Sequence, residues 1–188
     1  MYPVIKRCGD FVVSALGLVI LLVPMLLIGL AVRLDSPGPA LHWSQRYGAL
    51  SRLFAMPKFR TMRTGTPQLA THLMRESDAH VTRLGRILRR TSLDELPQLW
   101  SVLIGQMSLV GPRPALFNQD DLMTMRRRAG IDRLRPGITG WAQINGRDEL
   151  PLPQKVRFEM EYLDRHGFVF DLRILCLTLL RGGRGVTH

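Results

Sequence analysis

Asp94 and Glu95 stand side by side at the head of an apolar segment, directly after the arginine run Arg83, Arg86, Arg89 and Arg90. That pairing suits phosphate chemistry. Guanidinium groups beside a carboxylate favour its charged form, and because the cations outnumber it an anionic substrate can still approach. A charged carboxylate so placed can act as a nucleophile on phosphorus. A structural reading competes with this one. Ser92 and Glu95 have the spacing of a helix capping box, Asp94 alone could cap, and Pro97 would then fall in the first turn, where its missing N–H costs little. A helix N-terminus also offers unpaired N–H groups to a phosphate, so both readings share one local structure.

Other cations are framed by rigid or extended backbone. In Gly111-Pro112-Arg113-Pro114 two prolines hold the arginine on a stiff turn, so its guanidinium loses little entropy on binding a phosphate. Lys58 and Arg60 flank Phe59 in a strand-like alternation that puts both cations on one face. Arg135-Pro136-Gly137-Ile138-Thr139-Gly140-Trp141 and Asn145-Gly146-Arg147 are glycine-punctuated loops whose backbone can approach a ligand, with Trp141 able to pack on a base or sugar. The triple arginine Arg126, Arg127 and Arg128 ends a helix that Asp120 and Asp121 begin. It reads as a surface feature that complements the helix dipole. Neither a zinc-spaced Cys/His cluster nor a P-loop is present, and the five histidines are scattered.

The formal charge is +11, and of the 26 basic residues all but Lys6, Lys58 and Lys155 are arginine. Arginine bias favours bidentate phosphate contacts, but such a charge suits nucleic acid, an anionic membrane or a phosphorylated small molecule alike. Cys8 and Cys176 have no partner spacing and read as reduced thiols, buried or membrane-facing.

Residues 11–32 are uncharged and long enough to cross a bilayer. Lys6 and Arg7 precede them and Arg33, Arg46 and Arg52 follow, so the positive-inside rule assigns both flanks to the cytoplasm. Pro24, near the middle, removes a backbone donor and pushes against the carbonyl of Ile20. A break there would let the chain turn back and leave by the face it entered. An ordinary transmembrane helix with a tolerated proline is the alternative.

The division expected is a membrane helix with its flanks over residues 1–35 and a catalytic domain over 36–188. The fold class is α+β and helix-dominated, with one short β-hairpin and amphipathic helices at the membrane interface. Residues 40–45 and 53–62 are the hairpin strands. Residues 64–71 form a loop. Val81, Leu84 and Leu88 share a helical face opposite Arg83, Arg86 and Arg90. Leu93, Leu96, Trp100 and Leu103 repeat at helical spacing until Gly105. Asn118 opens the next helix, residues 155–166 form another, and the apolar stretch 168–180 either packs in the core or lies at the membrane interface.

Four motifs in order, Lys58-Phe59-Arg60-Thr61-Met62, Ser92 through Trp100, Met107 through Pro114 and Arg135 through Arg147, resemble the bacterial sugar transferase family of small monotopic phosphoglycosyl transferases. The resemblance runs from Lys6 to the C-terminus. It implies transfer of a sugar 1-phosphate from a nucleotide sugar, usually a UDP-sugar, to undecaprenyl phosphate with release of UMP. A re-entrant membrane helix kinked at Pro24, Mg²⁺ dependence and a covalent phospho-sugar on the aspartate are implied with it. Carried over, Asp94 is the nucleophile and Glu95 its partner, as a base toward the lipid phosphate or, with Asp94, in the metal site. Lys58, Arg60, Arg89 and Arg113 would hold phosphate oxygens, and Arg135, Gln143, Asn145 and Arg147 would line a substrate loop. The family often has serine before the membrane proline, whereas Val23 stands here, so the freed carbonyl is less secured. The same resemblance places the enzyme in the bacterial inner membrane, facing the cytoplasm, among membrane lipids and without nucleic acid, as a monomer or homodimer. Two rivals stay open: direct attack by the lipid phosphate with the acidic pair as metal ligands or base, and a membrane-tethered basic binding module.

Overall fold

Pro24 decides the shape of the apolar N-terminal stretch, which folds as two helices, α1 (Tyr2–Ile20) and α2 (Leu22–Asp35), bent by 62° around Leu21. The ring of Pro24 supplies no N–H to Ile20 and crowds its carbonyl, so the break falls one turn before the proline. The computed structural model describes residues 2–66, 80–146 and 150–181; among these no single helix is long and apolar enough to cross a membrane, while the bent pair passes by length and composition.

Both ends of that pair are fastened to the rest of the chain. Near the start, Arg7 donates to the carbonyls of Val102 and Leu103 at 2.7 Å each, satisfying the end of a later helix. Asp10, although buried, accepts from the Leu109 N–H at 3.1 Å, and Tyr2 and Lys6 donate to Asp171. At the far end Arg60 donates to the carbonyls of Pro39 (2.7 Å), Ser36 (2.7 Å), Pro37 (3.0 Å) and Val32 (3.4 Å) and to the Ser36 hydroxyl (2.8 Å). This corrects the expectation for Arg60. Its strand stops at Phe59, the alternation with Lys58 ends there, and the buried guanidinium caps α2.

Strands β1 (Leu41–Tyr47) and β2 (Leu53–Phe59) form the expected antiparallel hairpin, with Leu41 opposite Phe59 and His42 opposite Lys58. The first strand runs longer than anticipated and the second ends sooner. Helix α3 (Arg83–Thr91) is capped by Thr82, whose hydroxyl accepts from the Gly85 N–H at 2.9 Å. Val81 therefore precedes the helix, bridged to Met62, and the inward face is Leu84 and Leu88. A single 3₁₀ turn, Leu93–Glu95, leads to the short α4 (Gln98–Leu103). Strand β3 (Ser108–Val110) pairs in parallel with β4 (Gly137–Thr139), a second sheet absent from the sequence reading because three residues carry no periodicity. Helices α5 (Asp120–Arg128), α6 (Trp141–Ile144), α7 (Leu152–Arg165) and α8 (Phe168–Arg181) complete the fold.

Glycine makes the parallel pairing possible. A Cβ on Gly111 would stand 2.4 Å from the Arg135 carbonyl oxygen, and one on Gly140 would stand 2.1 Å from that of Gly111. These glycines bring backbone against backbone, and a ligand is not what they admit. Below the hairpin Phe54, Met56, Val102 and Met107 form one buried cluster; Val110, Tyr162, Phe170 and Ile174 form another under α7 and α8. Helix α8 packs in the core along one face, as one of its two expected placements requires. Phe170 and Ile174 are buried while Phe168, Val169, Leu172 and Leu179 are exposed, and Cys8 and Cys176 are exposed as well.

Candidate active site

Helix α3 stops because Ser92 adopts the left-handed conformation (φ 58°, ψ 17°), its N–H bonding back to the carbonyls of Arg89 and Leu88. The turn that follows carries Asp94 and Glu95. No side chain caps it, and the N-cap of α4 is Pro97, so neither the capping box nor an Asp94 cap exists. The two carboxylates are left for other work.

Asp94 is 6 % exposed, and the charges acting on it are Lys58 from β2, its neighbour Glu95, Arg89 from α3 and Arg113 from the proline-framed turn. Four separate segments of the chain converge there. Glu95 Oε1 lies 3.3 Å from the Arg113 guanidinium, and Arg89 Nε donates to the Thr61 hydroxyl at 2.9 Å. Arg113 is steadied from behind, since Arg126 donates to its carbonyl at 2.9 Å while pairing with Glu159. Arg126, read from sequence as a surface feature, is 4 % exposed and belongs to the interior.

Burial pushes the Asp94 carboxyl up to about 6; Lys58, Arg89 and Arg113 pull the other way and the like charge of Glu95 adds to the rise. The cations favour the charged form as expected, but desolvation outweighs them in setting the value. Most of it is still ionised at neutral pH. Lys58 is pushed down to about 8, chiefly by its packed surroundings and then by Arg46 and Arg113, with Glu95 and Asp94 opposing. Burial, Lys58 and Arg46 lower His42 as well.

Two clefts flank this centre. A polar one of about 370 Å³ is lined by His42, Arg46, Lys58, Thr61, Arg63 and Arg89, among others. An apolar one of about 620 Å³ lies between α2 and the hairpin, lined by residues that include Met25, Leu30, Arg33, Trp43, Pro97 and Trp100. Leu41 and Phe59 line both.

Of the remaining predicted residues, two are engaged by nearby carbonyls and one is exposed. Gln143 donates to the Ile138 carbonyl at 2.9 Å and Asn145 to that of Trp141 at 2.8 Å, so both amides close the loop around α6. The Trp141 ring packs on Phe170 and its N–H donates to Glu161 at 2.8 Å, which removes it as a free stacking platform. Arg135 is exposed just before β4, and Arg147 lies outside the described residues. His42, Arg46 and Arg63 were missed. Period-two spacing on β1 puts His42, Ser44 and Arg46 on one side, a signal hidden by ending that strand at Gln45.

Among the described residues no group of three or more His, Cys, Asp or Glu forms a cage for a metal ion. Asp94 and Glu95 offer hard oxygens from adjacent positions. Such a set fits Mg²⁺, which takes one or two carboxylates and completes its shell with water and substrate phosphates.

A family model described as bacterial sugar transferase matches residues 1–184. The chain belongs to the bacterial sugar transferase family. Within it, the chain is 38 % identical over 185 residues to a UDP-glucose:undecaprenyl-phosphate glucose-1-phosphate transferase of Escherichia coli, covering 95 % of this chain and 40 % of the relative. It is 42 % identical over 191 residues to an undecaprenyl-phosphate glucose phosphotransferase of Komagataeibacter xylinus, covering 94 % of this chain and 35 % of the relative. An exopolysaccharide production protein of Rhizobium leguminosarum is 36 % identical over 192 residues, 94 % of each chain. This bacterial sugar transferase thus spans well under half the length of the first two relatives and nearly all of the third.

Proposed function

We propose that this bacterial sugar transferase moves a sugar 1-phosphate from a UDP-sugar to undecaprenyl phosphate and releases UMP, in two displacements through a phospho-sugar held on Asp94. The observation that carries the proposal is the convergence on Asp94, buried yet mostly ionised, of Lys58, Arg89 and Arg113. In the first step an Asp94 oxygen bonds to the phosphorus that bears the sugar, and the bond from that phosphorus to the UMP oxygen breaks. In the second, an oxygen of undecaprenyl phosphate bonds to the same phosphorus and the Asp94 bond breaks, restoring the carboxylate. The three cations stabilise charge that develops on the phosphoryl oxygens. Glu95, with Asp94, would hold Mg²⁺, which supplies charge neutralisation of the diphosphate when bound.

A lipid acceptor is supported by the apolar cleft, whose wall includes Pro97 on the segment that carries Asp94. A re-entrant course for α1 and α2 is supported by their fastenings: Arg7 and Asp10 at one end and the Arg60 cap at the other bond to a single body. A spanning course would put those ends on opposite sides of a bilayer some 30 Å thick. The enzyme would then lie in the cytoplasmic leaflet of the bacterial inner membrane, opening the assembly of an exopolysaccharide or a related glycan.

A donor labelled in the sugar-linked phosphate tests the covalent step. UDP-glucose is the first donor to try, given the names of the relatives. Without acceptor, the intact protein should release one UMP per active site, retain label on Asp94 and surrender it to undecaprenyl phosphate. Acceptor-dependent turnover with neither burst nor adduct would establish direct attack by the lipid phosphate instead.

A further inference from the structure

We infer that the polar cleft beside the hairpin seats the departing nucleotide, with Arg63 and Arg46 on its phosphate and His42 on its base. The inference rests on the proposed reaction and adds a location to it. In an in-line displacement the leaving group departs on the side opposite the attacking oxygen. Lys58 and Arg89 act on Asp94 and also line the cleft, whereas Asp94 and Glu95 do not line it. The cleft therefore shares two cations with the nucleophile while neither carboxylate is part of its wall.

Charge selects which half of the donor lies there. As the bond breaks, the nucleotide phosphate gains a negative charge while the sugar remains neutral. Lys58, Arg46, Arg63 and Arg89 line the cleft, and among the described residues that line it there is no carboxylate. Arg60 also borders it, but five hydrogen bonds commit that guanidinium to the end of α2. Arg63 is exposed, and its backbone N–H is tied to the His80 carbonyl at 3.0 Å, so the side chain reaches the cleft from a fixed point. Arg46 is held by Ser44 at 3.0 Å and by the Pro114 carbonyl at 3.0 Å.

His42 supplies the reader of the base. It sits half-buried directly across the hairpin from Lys58. A neutral imidazole can make one hydrogen bond to the imide edge of a pyrimidine, donating to a carbonyl oxygen or accepting from the N–H. A volume of about 370 Å³ is within the usual range for small-ligand sites.

Product inhibition of the intact, lipid-reconstituted protein tests this, with UMP, uridine and inorganic phosphate as probes. Arg63→Ala should weaken inhibition by UMP roughly tenfold, as loss of a charge-assisted bond to phosphate does, and leave uridine unaffected. His42→Ala should weaken UMP and uridine alike, roughly threefold to tenfold, with inorganic phosphate unchanged and His42→Gln partly restoring both. In each variant the donor KM should rise while the acceptor KM stays put. Unchanged UMP inhibition in both variants of a protein that releases UMP overturns this location alone, and so does a rise confined to the acceptor KM. A wild-type protein that releases no UMP from any UDP-sugar removes the reaction and this inference together.

Discussion

Two clusters of arginine and carboxylate lie on either side of Arg113, and they are matched in opposite ways. Behind it, Arg126 and Glu159 are both buried, one cation to one anion, with Arg126 Nε donating to Glu159 Oε2 at 2.8 Å and a further bond to the Arg113 carbonyl. In front of it, two carboxylates meet Lys58, Arg89 and Arg113 beside two clefts. The sealed pair has its charge and hydrogen bonds satisfied and steadies a loop. The open cluster gathers three cations about two carboxylates among the described residues and borders both clefts, where an anionic substrate can reach it. Sequence alone shows arginines near acids in both places, so matching and access separate structure from chemistry.

Removing one group from each cluster should give unlike failures. Asp94→Asn should lower UMP release by roughly a thousandfold or more, as loss of a nucleophile does. The same change should not lower the unfolding temperature. The folded state holds the Asp94 pKa above the ordinary carboxylate value, so its charge opposes folding above about pH 6, and that penalty relaxes as pH falls. An unfolded Asp94→Asn protein would contradict the open-cluster reading. Glu159→Ala should instead cost about 3–5 kcal/mol of stability, because it strands a buried guanidinium, and thermal unfolding would show it. Arg126→Met with Glu159→Leu should recover much of that loss. Activity lost at an unchanged unfolding temperature would erase the distinction.

Titration sharpens the comparison at a smaller scale. Asp94 must be ionised to attack, so kcat/KM for UMP release should fall as pH drops through about 6. Lys58 must be charged to hold a phosphate, so the rate should fall again as pH rises through about 8. Lys58→Arg should leave the acid limb in place and move the alkaline limb out of range. A profile flat from pH 5 to 9 would show that neither group titrates in the rate-determining step.

Local patterns were read well where they were long. The helical repeat of Leu84 and Leu88, the dipole pattern of α5 and the apolar run of α8 all became helices near their expected limits. The bend near Leu21 follows from Pro24 by backbone chemistry alone. The pairing of β3 with β4 was invisible because each strand has three residues and their partnership depends on close backbone contact at Gly111, Gly137 and Gly140. Arg60 and Lys58 looked equivalent two residues apart; both border the polar cleft, but the end of β2 between them commits the Arg60 guanidinium to a helix terminus.

Residue types and spacing by themselves determined that an acidic pair follows an arginine-rich helix, that a rigid turn carries another guanidinium, and that a proline breaks an apolar segment. Those are consequences of covalent geometry and short-range periodicity. Which arginines face the carboxylate, which are consumed by carbonyls or by Glu159, and how far burial raises Asp94 were decided only by the packed fold. Charge matching and desolvation depend on groups distant in sequence, and only the packed chain brings them within reach of one another.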